Sequence, residues 1–432
     1  MKKIFKTCSM MLLACSLVFA TGNSERPITK PVIRFAHQAV SSSASTKPIY
    51  DAIDTYAKKV ADKYTLTQEA VVNDELKSKI RIDMASDNMP DVFWYWGAPS
   101  DAKQLVDSGL VLDVDDFFAA SKLKRSDFKD LWDAVSVNEK NYCIPIDNLV
   151  SSWVVNKTLF DKYGLKYPKT YADLVELAKT FNQHNIITLG IGSKGGNPSN
   201  WIVDMVNSQY SDYRKNLLSM EQTYKFDATN MKKTLGVFQE LIDGKVLPAD
   251  TIANGDWGPY WALFTSGKAA ISWGWAGMLA SLKDADFQWE LIDPPQVEGS
   301  GCDTSKVEYG YSGAGIMINK KSFNDPAKRS AIIDFVEFYC SEEMELTQLY
   351  ANGVIPTRKG MHIDTSKVDP IVMQVLNASD GKEVYLTHLS TIPDSNVWVD
   401  YESGLDEFFA QTKTAEQFID YVQNSLDSNK TN

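Results

Sequence analysis

"DVFWYWGAPSD", Asp91 to Asp101, is the stretch on which the reading of this chain turns. Phe93, Trp94, Tyr95 and Trp96 form an unbroken aromatic run, and Gly97 and Pro99 break it. Such a run suits a strand buried on both faces. Alternation along the strand sends Phe93 and Tyr95 to one face and Trp94 and Trp96 to the other. Rings at a strand's end fill a core or receive a ligand, and the run alone leaves both readings open.

Working outward, "VIRFAH" (Val32–His37) reads as a strand. Ile49, Ile53, Tyr56, Val60 and Tyr64 recur at helical spacing, which predicts an amphipathic helix over Lys47–Tyr64. A strand over Thr65–Val72 and a helix over Asp74–Ser86 precede the aromatic run, and a helix stopped by Gly109 follows it. The series is βαβαβ, which predicts an α/β fold with a mostly parallel sheet covered by helices. With 432 residues the chain exceeds one ordinary core, so two lobes are expected. Pro145 inside "NYCIPIDN" (Asn141–Asn148) marks an edge or a crossover. "YGYSGAGIMIN" (Tyr309–Asn319) reads as one strand, Asp325–Gly353 as one or two helices, and "TAEQFIDYVQNSL" as a final helix.

Composition excludes several functions. The formal net charge is −12, which repels phosphate backbones, so nucleic acid is not an expected partner. The basic residues Lys2, Lys3 and Lys6 precede a short apolar run, Thr7 to Phe19, with small residues at Val18 and Ala20. This reads as a signal peptide over 1–20, cleaved after Ala20, for a periplasmic or otherwise exported protein. "LLAC" around Cys15 leaves a membrane-anchored lipoprotein as the rival form. Cys143, Cys302 and Cys340 then remain, read as buried thiols, with a Cys302–Cys340 bridge as the alternative. His37, His184, His362 and His388 lie far apart without ligand spacing, so neither a metal nor another cofactor is expected.

Several segments, in order from Glu75 to Gly360, resemble one family. They are "ELKSKIRIDMASDNMPDVFWYWG", "SGLVLDVDDFF", "YCIPIDNLVSSWVVNKTLFDKYGLKYPKTYADLVELAKTF", "FTSGKAAISWGW", "GAGIMINKKSF" and "ANGVIPTRKG". The chain resembles the extracellular solute-binding proteins of ABC importers, the group that includes maltose- and oligosaccharide-binding proteins. The resemblance implies a periplasmic-binding-protein-like fold: two lobes, each a mostly parallel sheet flanked by helices, with a hinge between them. It implies lobes over 31–146 with 308–355 and over 147–307 with 356–432. It further implies a solute held between the lobes, hinge closure, delivery to a membrane permease, and a monomer without catalytic residues.

Open α/β sheets bind ligands at the carboxyl ends of their strands. That rule selects His37 and Gln38, Asp74, Tyr95 and Trp96, Asp147 and Asn148, Trp201, Trp273 and Trp275, and Tyr311, and Trp257 in "NGDWGPYW" is a further, weaker candidate beside Trp201. Flat aromatic faces with short polar side chains suit a sugar, whose C–H faces are ringed by hydroxyls. Trp96 is the leading candidate, whereas Trp94 reads more as core. Trp273 and Trp275 flank Gly274 and share a face, one for ligand and one for packing. A lone histidine is more often structural, and Asx residues favour turns. "GSKGG" (Gly192–Gly196) lacks a P-loop ending and reads as a loop at a strand end. The alternatives are a polyamine or glycerol phosphate as solute, or a secreted glycoside hydrolase. Tryptophan outweighs either sign of charge in these loops, which favours a neutral carbohydrate.

Overall fold

A computed structural model describes residues 30–210, 223–311, 313–386, 392 and 394–430. The leader expected at 1–20, with Cys15, lies outside these residues, as does His388. The first segment folds as the spacing predicts: β1 (Val32–His37), α1 (Lys47–Lys59), β2 (Thr65–Ala70), α2 (Asn73–Ala85), β3 (Val92–Trp96) and α3 (Pro99–Asp107). α1 turns Ile49, Ile53 and Tyr56 inward on one stripe and ends before Tyr64, which is buried beyond the helix. β1 runs parallel to both β2 and β3.

The rest of this sheet comes from distant sequence. β4 (Ile144–Pro145) and a strand at Ala314–Ile318 complete the order β2, β1, β3, Ala314–Ile318, β4. Both late arrivals enter antiparallel. The second sheet is built on β5 (Leu149–Asn156). Around it lie β6 (Ile187–Leu189), α4 (Ser199–Asn207), α5 (Trp257–Thr265), β7 (Ala269–Trp275), β8 (Trp289–Ile292) and β9 (Val307–Tyr311). β10 (Ala314–Ile318), α6 (Glu342–Asn352), β11 (Glu383–Leu386) and α7 (Ser395–Phe409) complete the set. β5 pairs antiparallel with β7, β8 and β9, while β6 and β11 add in parallel at the two edges. The fold is thus α/β with two helix-flanked sheets, but both sheets are mixed rather than mostly parallel.

Three further expectations change. Tyr309–Asn319 is not one strand: β9 pairs in the second sheet and β10 in the first, so the chain changes sheet after Tyr311. Residue 308, the expected start of the return to the first lobe, lies in a strand of the second sheet. α6 is shared, with Met344 in the first core and Leu349 in a cluster beside Val150, Val154 and Tyr260 of the second. Cys143, Cys302 and Cys340 form no disulfide, with Cys340 in the first core and Cys302 against the second, so Cys302 and Cys340 do not bridge. Gly315 shows how tightly the crossing packs: a Cβ there would sit 1.9 Å from the Ile144 carbonyl oxygen.

The crossings at 146–148 and 353–357 and the start of β10, just after the second crossing, are tied to one another. Ile146 N–H donates to the Ala314 carbonyl at 3.3 Å, and Ile355 N–H to that of Asn148 at 3.2 Å. Glu345, 1% exposed, accepts from the Thr357 and Arg358 N–H groups at 2.7 and 2.9 Å. The Thr357 hydroxyl lies 2.9 Å from Glu345 Oε1 and 3.0 Å from the Pro145 carbonyl. Burial raises the Glu345 pKa, and the bonds it accepts pull the other way. Glu345→Ala leaves these donors buried without an acceptor. It lowers stability by about 2–4 kcal/mol, read as a lower urea midpoint at unchanged slope. An unchanged midpoint removes the clamp from the account.

Candidate functional site

Between the two sheets lies a cavity of about 1140 Å³. On the first sheet's side, β3 alternation places Phe93 and Tyr95 in the core and points Trp94 and Trp96 at the cavity. The two indoles meet edge-to-face at 4.9 Å and 80°. α2 adds Lys77 and Arg81. The Lys77 ammonium sits 4.5 Å from the Trp96 ring centroid and 2.6 Å from Asp101.

The second wall is a tryptophan cluster. β7 carries Trp273 and Trp275 on one face; Trp275 reaches the cavity and Trp273 lies one repeat behind, fully buried. Trp201 of α4 meets Trp275 edge-to-face at 4.4 Å, and Trp257 of α5 lies 5.8 Å from Trp275. α7 adds Trp398 and Glu402. The Gly-rich loop is pinned beneath α7: Asp406 accepts from Ser193 Oγ, Gly195 N and Gly196 N at 2.7, 2.6 and 3.0 Å. A Cβ on Gly196 would come 2.8 Å from the Glu402 Cα, so glycine lets the loop reach the helix. Asn197 Nδ2 donates to Glu402 Oε1 at 3.1 Å.

Asp147, on the first crossing, lines the cavity and accepts a hydrogen bond from Trp94. Its carboxyl, partly exposed on the cavity wall, is pushed up to about 7 by burial, against the Trp94 bond and helped by the Glu345 charge. Glu402 is pushed up to about 8, first by burial, with Lys77 lowering it and Asp101 raising it.

Of the residues selected from sequence, Gln38, Trp96, Asp147, Trp201, Trp257 and Trp275 line this cavity. His37 does not. Its ring is fully buried and stacked on Phe35 at 4.7 Å, and burial pushes its pKa down to about 4. Tyr95, Trp273 and Asn148 are also in the packed interior, the first two because strand alternation or one further repeat turns them inward. The Asn148 backbone instead bridges to Ile355. Asp74 lies in the first turn of α2 and Tyr311 ends β9; their side chains lie outside the described set. Trp94, read as core, lines the cavity. Its shared face with Trp96 is the signal that finds it. Trp398, Glu402, Ser100 and Gln348 come from helices and had no signal in a search of strand ends.

Among the described residues, none group as a cluster of three or more metal-ligating side chains, and no helix is long and apolar enough to cross a membrane. The profile of the bacterial extracellular solute-binding proteins matches residues 41–345. A multiple sugar-binding protein of Streptococcus mutans is 26% identical over 171 residues, which is 40% of this chain and 38% of that relative's length. A chitin oligosaccharide binding protein of known structure has a TM-score of 0.74 at 17% identity, covering 91% of this chain and 98% of its own. A structure from work on xylan utilization by Caldanaerobius polysaccharolyticus has a TM-score of 0.72 at 22% identity, covering 91% and 99%. At these identities the structural matches speak for the fold.

Glu402 carries a pH prediction. Its carboxyl titrates near 8 in the fold against an ordinary 4.5, so between these values the folded chain holds a proton that the unfolded chain has released. This contribution is full below pH 4.5 and is lost as pH rises through 8. Glu402→Gln keeps it throughout, so the melting temperature of the variant gains on the parent chain from pH 4.5 to 8.5. Parallel curves exclude a proton on Glu402.

Proposed function

The chain belongs to the bacterial extracellular solute-binding proteins, and from that premise we propose that it captures a sugar or oligosaccharide between its lobes and delivers it to a membrane ABC permease. The observation that carries this reading is the pairing of aromatic walls across one cavity. Trp94 and Trp96 face it from the first sheet, and Trp201, Trp257 and Trp275 from the second. Indole faces take up the C–H faces of a pyranose, and Asp147, Gln38 and Asn197 supply hydrogen bonds to hydroxyls. The named substrates of the similar proteins, multiple sugars and chitin oligosaccharide, agree with this chemistry.

Charge favours a neutral solute. Lys77, Arg81 and Lys194 line the cavity together with Asp101 and Asp256, and with Asp147 and Glu402, whose carboxyls are pushed up to about 7 and about 8. Neither a polyamine, which wants carboxylates, nor a phosphate, which wants cations, meets a field of one sign. Ligand contacts on both lobes stabilise the closed state, and the crossings are the hinge. The chain acts as an exported monomer, soluble after cleavage at Ala20 or anchored through Cys15, and it releases no product from the saccharides it holds.

A ligand that binds only the folded state raises the melting temperature. At a hundredfold excess over Kd the rise is roughly 3 °C for a chain of this length. Xylotriose, maltotriose and triacetylchitotriose form the panel, with spermidine and glycerol 3-phosphate as the rivals. A shift with a rival and none with a saccharide overturns the substrate, and saccharide cleavage overturns the binder. Trp275→Ala weakens saccharide binding about tenfold or more by calorimetry.

A further inference from the structure

Two polar side chains in the cavity wall are buried without hydrogen-bond partners. Gln348 is 4% exposed and Ser100 5%, and both line the cavity. Gln348 Nε2 and Ser100 Oγ have no partner. Buried polar groups in folded proteins are almost always satisfied, so an orphan on a side chain that lines a cavity marks where a partner arrives. Each orphan comes from a different support. Ser100 stands in the first turn of α3, just beyond the aromatic strand, and Gln348 on α6, one turn after Glu345.

We propose that Gln348 and Ser100 are the hydroxyl-reading groups of the cavity, with the Gln348 amide taking two adjacent hydroxyls of one sugar ring. A carboxamide presents a donor and an acceptor in one plane. It gives an N–H to one hydroxyl and accepts from its neighbour, and this holds whichever way the amide is turned. The Ser100 hydroxyl gives and accepts one bond each. This assignment rests on the saccharide reading above and sharpens it: the preferred ring carries a free vicinal diol, and losing one of its hydroxyls is felt at Gln348. The position on α6 gives the contact a second consequence. Glu345, on the same helix, holds the third crossing, so a ligand on Gln348 loads the helix that anchors the hinge.

Calorimetric titration of the full chain with xylotriose, maltotriose and triacetylchitotriose, alone and as Gln348→Leu and Ser100→Ala, tests the proposal. Gln348→Leu weakens the saccharide that binds the parent chain by about ten- to a hundredfold, and Ser100→Ala by about tenfold. Gln348→Leu leaves the unliganded melting temperature unchanged or higher, because the amide nitrogen it removes has no protein partner. For a ring analogue lacking one hydroxyl of the diol, the loss from Gln348→Leu shrinks. A structural role gives the reverse: a lower unliganded melting temperature and saccharide affinity within twofold of the parent. That result overturns this inference alone. Failure of all three saccharides to bind the parent chain overturns it together with the saccharide reading. Should Gln348→Leu not fold, that too shows a structural amide, and Ser100→Ala still decides its own half.

Discussion

The carboxylate of Glu345 is the fixed point about which the two lobes are organised. It is buried, and it accepts from Thr357 and Arg358, so it holds the last crossing against α6. Thr357 in turn reaches the Pro145 carbonyl, which brings in the first crossing, and Ile146 bonds to Ala314 at the start of β10 after the second. Three passages of chain, far apart in sequence, thus share one short run of hydrogen bonds. A buried charge is costly unless every lone pair finds a donor. Here the donors are backbone groups at the place where the chain changes lobe, so the cost is met only when the crossings are assembled.

The cavity follows from that frame. With the crossings side by side, the carboxyl ends of β1 and β3 face the end of β7, and the aromatic side chains at those ends look at one another across the gap. The walls are not equivalent. In the second lobe, Trp201 meets both Trp257 and Trp275 edge-to-face, and Trp257 lies tilted against Trp275. In the first, Trp96 carries the Lys77 ammonium on its ring, and Asp101 neutralises that ammonium. The ring face beneath Lys77 is already covered, so a stacked ligand takes the other side or moves the lysine.

Much of this was readable from residues. The βαβαβ start is written in the three-four spacing of α1 and the aromatic run of β3, because local periodicity fixes which face is buried. The same alternation points Trp96 and Trp94 at the cavity and Tyr95 into the core, although the sequence alone keeps Tyr95 as a candidate and reads Trp94 as core. Topology beyond the first segment was less legible. β9 and β10 follow one another closely enough to read as one strand from Tyr309 to Asn319, and nothing local says that they pair in different sheets. His37 illustrates a different limit: a strand end is a necessary address for a ligand contact, yet the ring turned onto Phe35. Trp398, Glu402 and Gln348 arrive from helices whose docking depends on long-range packing, which no spacing along the chain encodes.

Of the eleven tryptophans in the chain, Trp94, Trp96, Trp201, Trp257, Trp275 and Trp398 line this one cavity. Several are in edge contact, and Trp94 donates to a carboxyl whose charge changes near neutrality. Intrinsic fluorescence of this protein is therefore weighted toward the space between the lobes. Filling that space, or closing it, alters the water and the quenching groups around half of the emitters at once. The protein carries its own optical gauge of occupancy, and its rate of filling is measurable by stopped flow without a label.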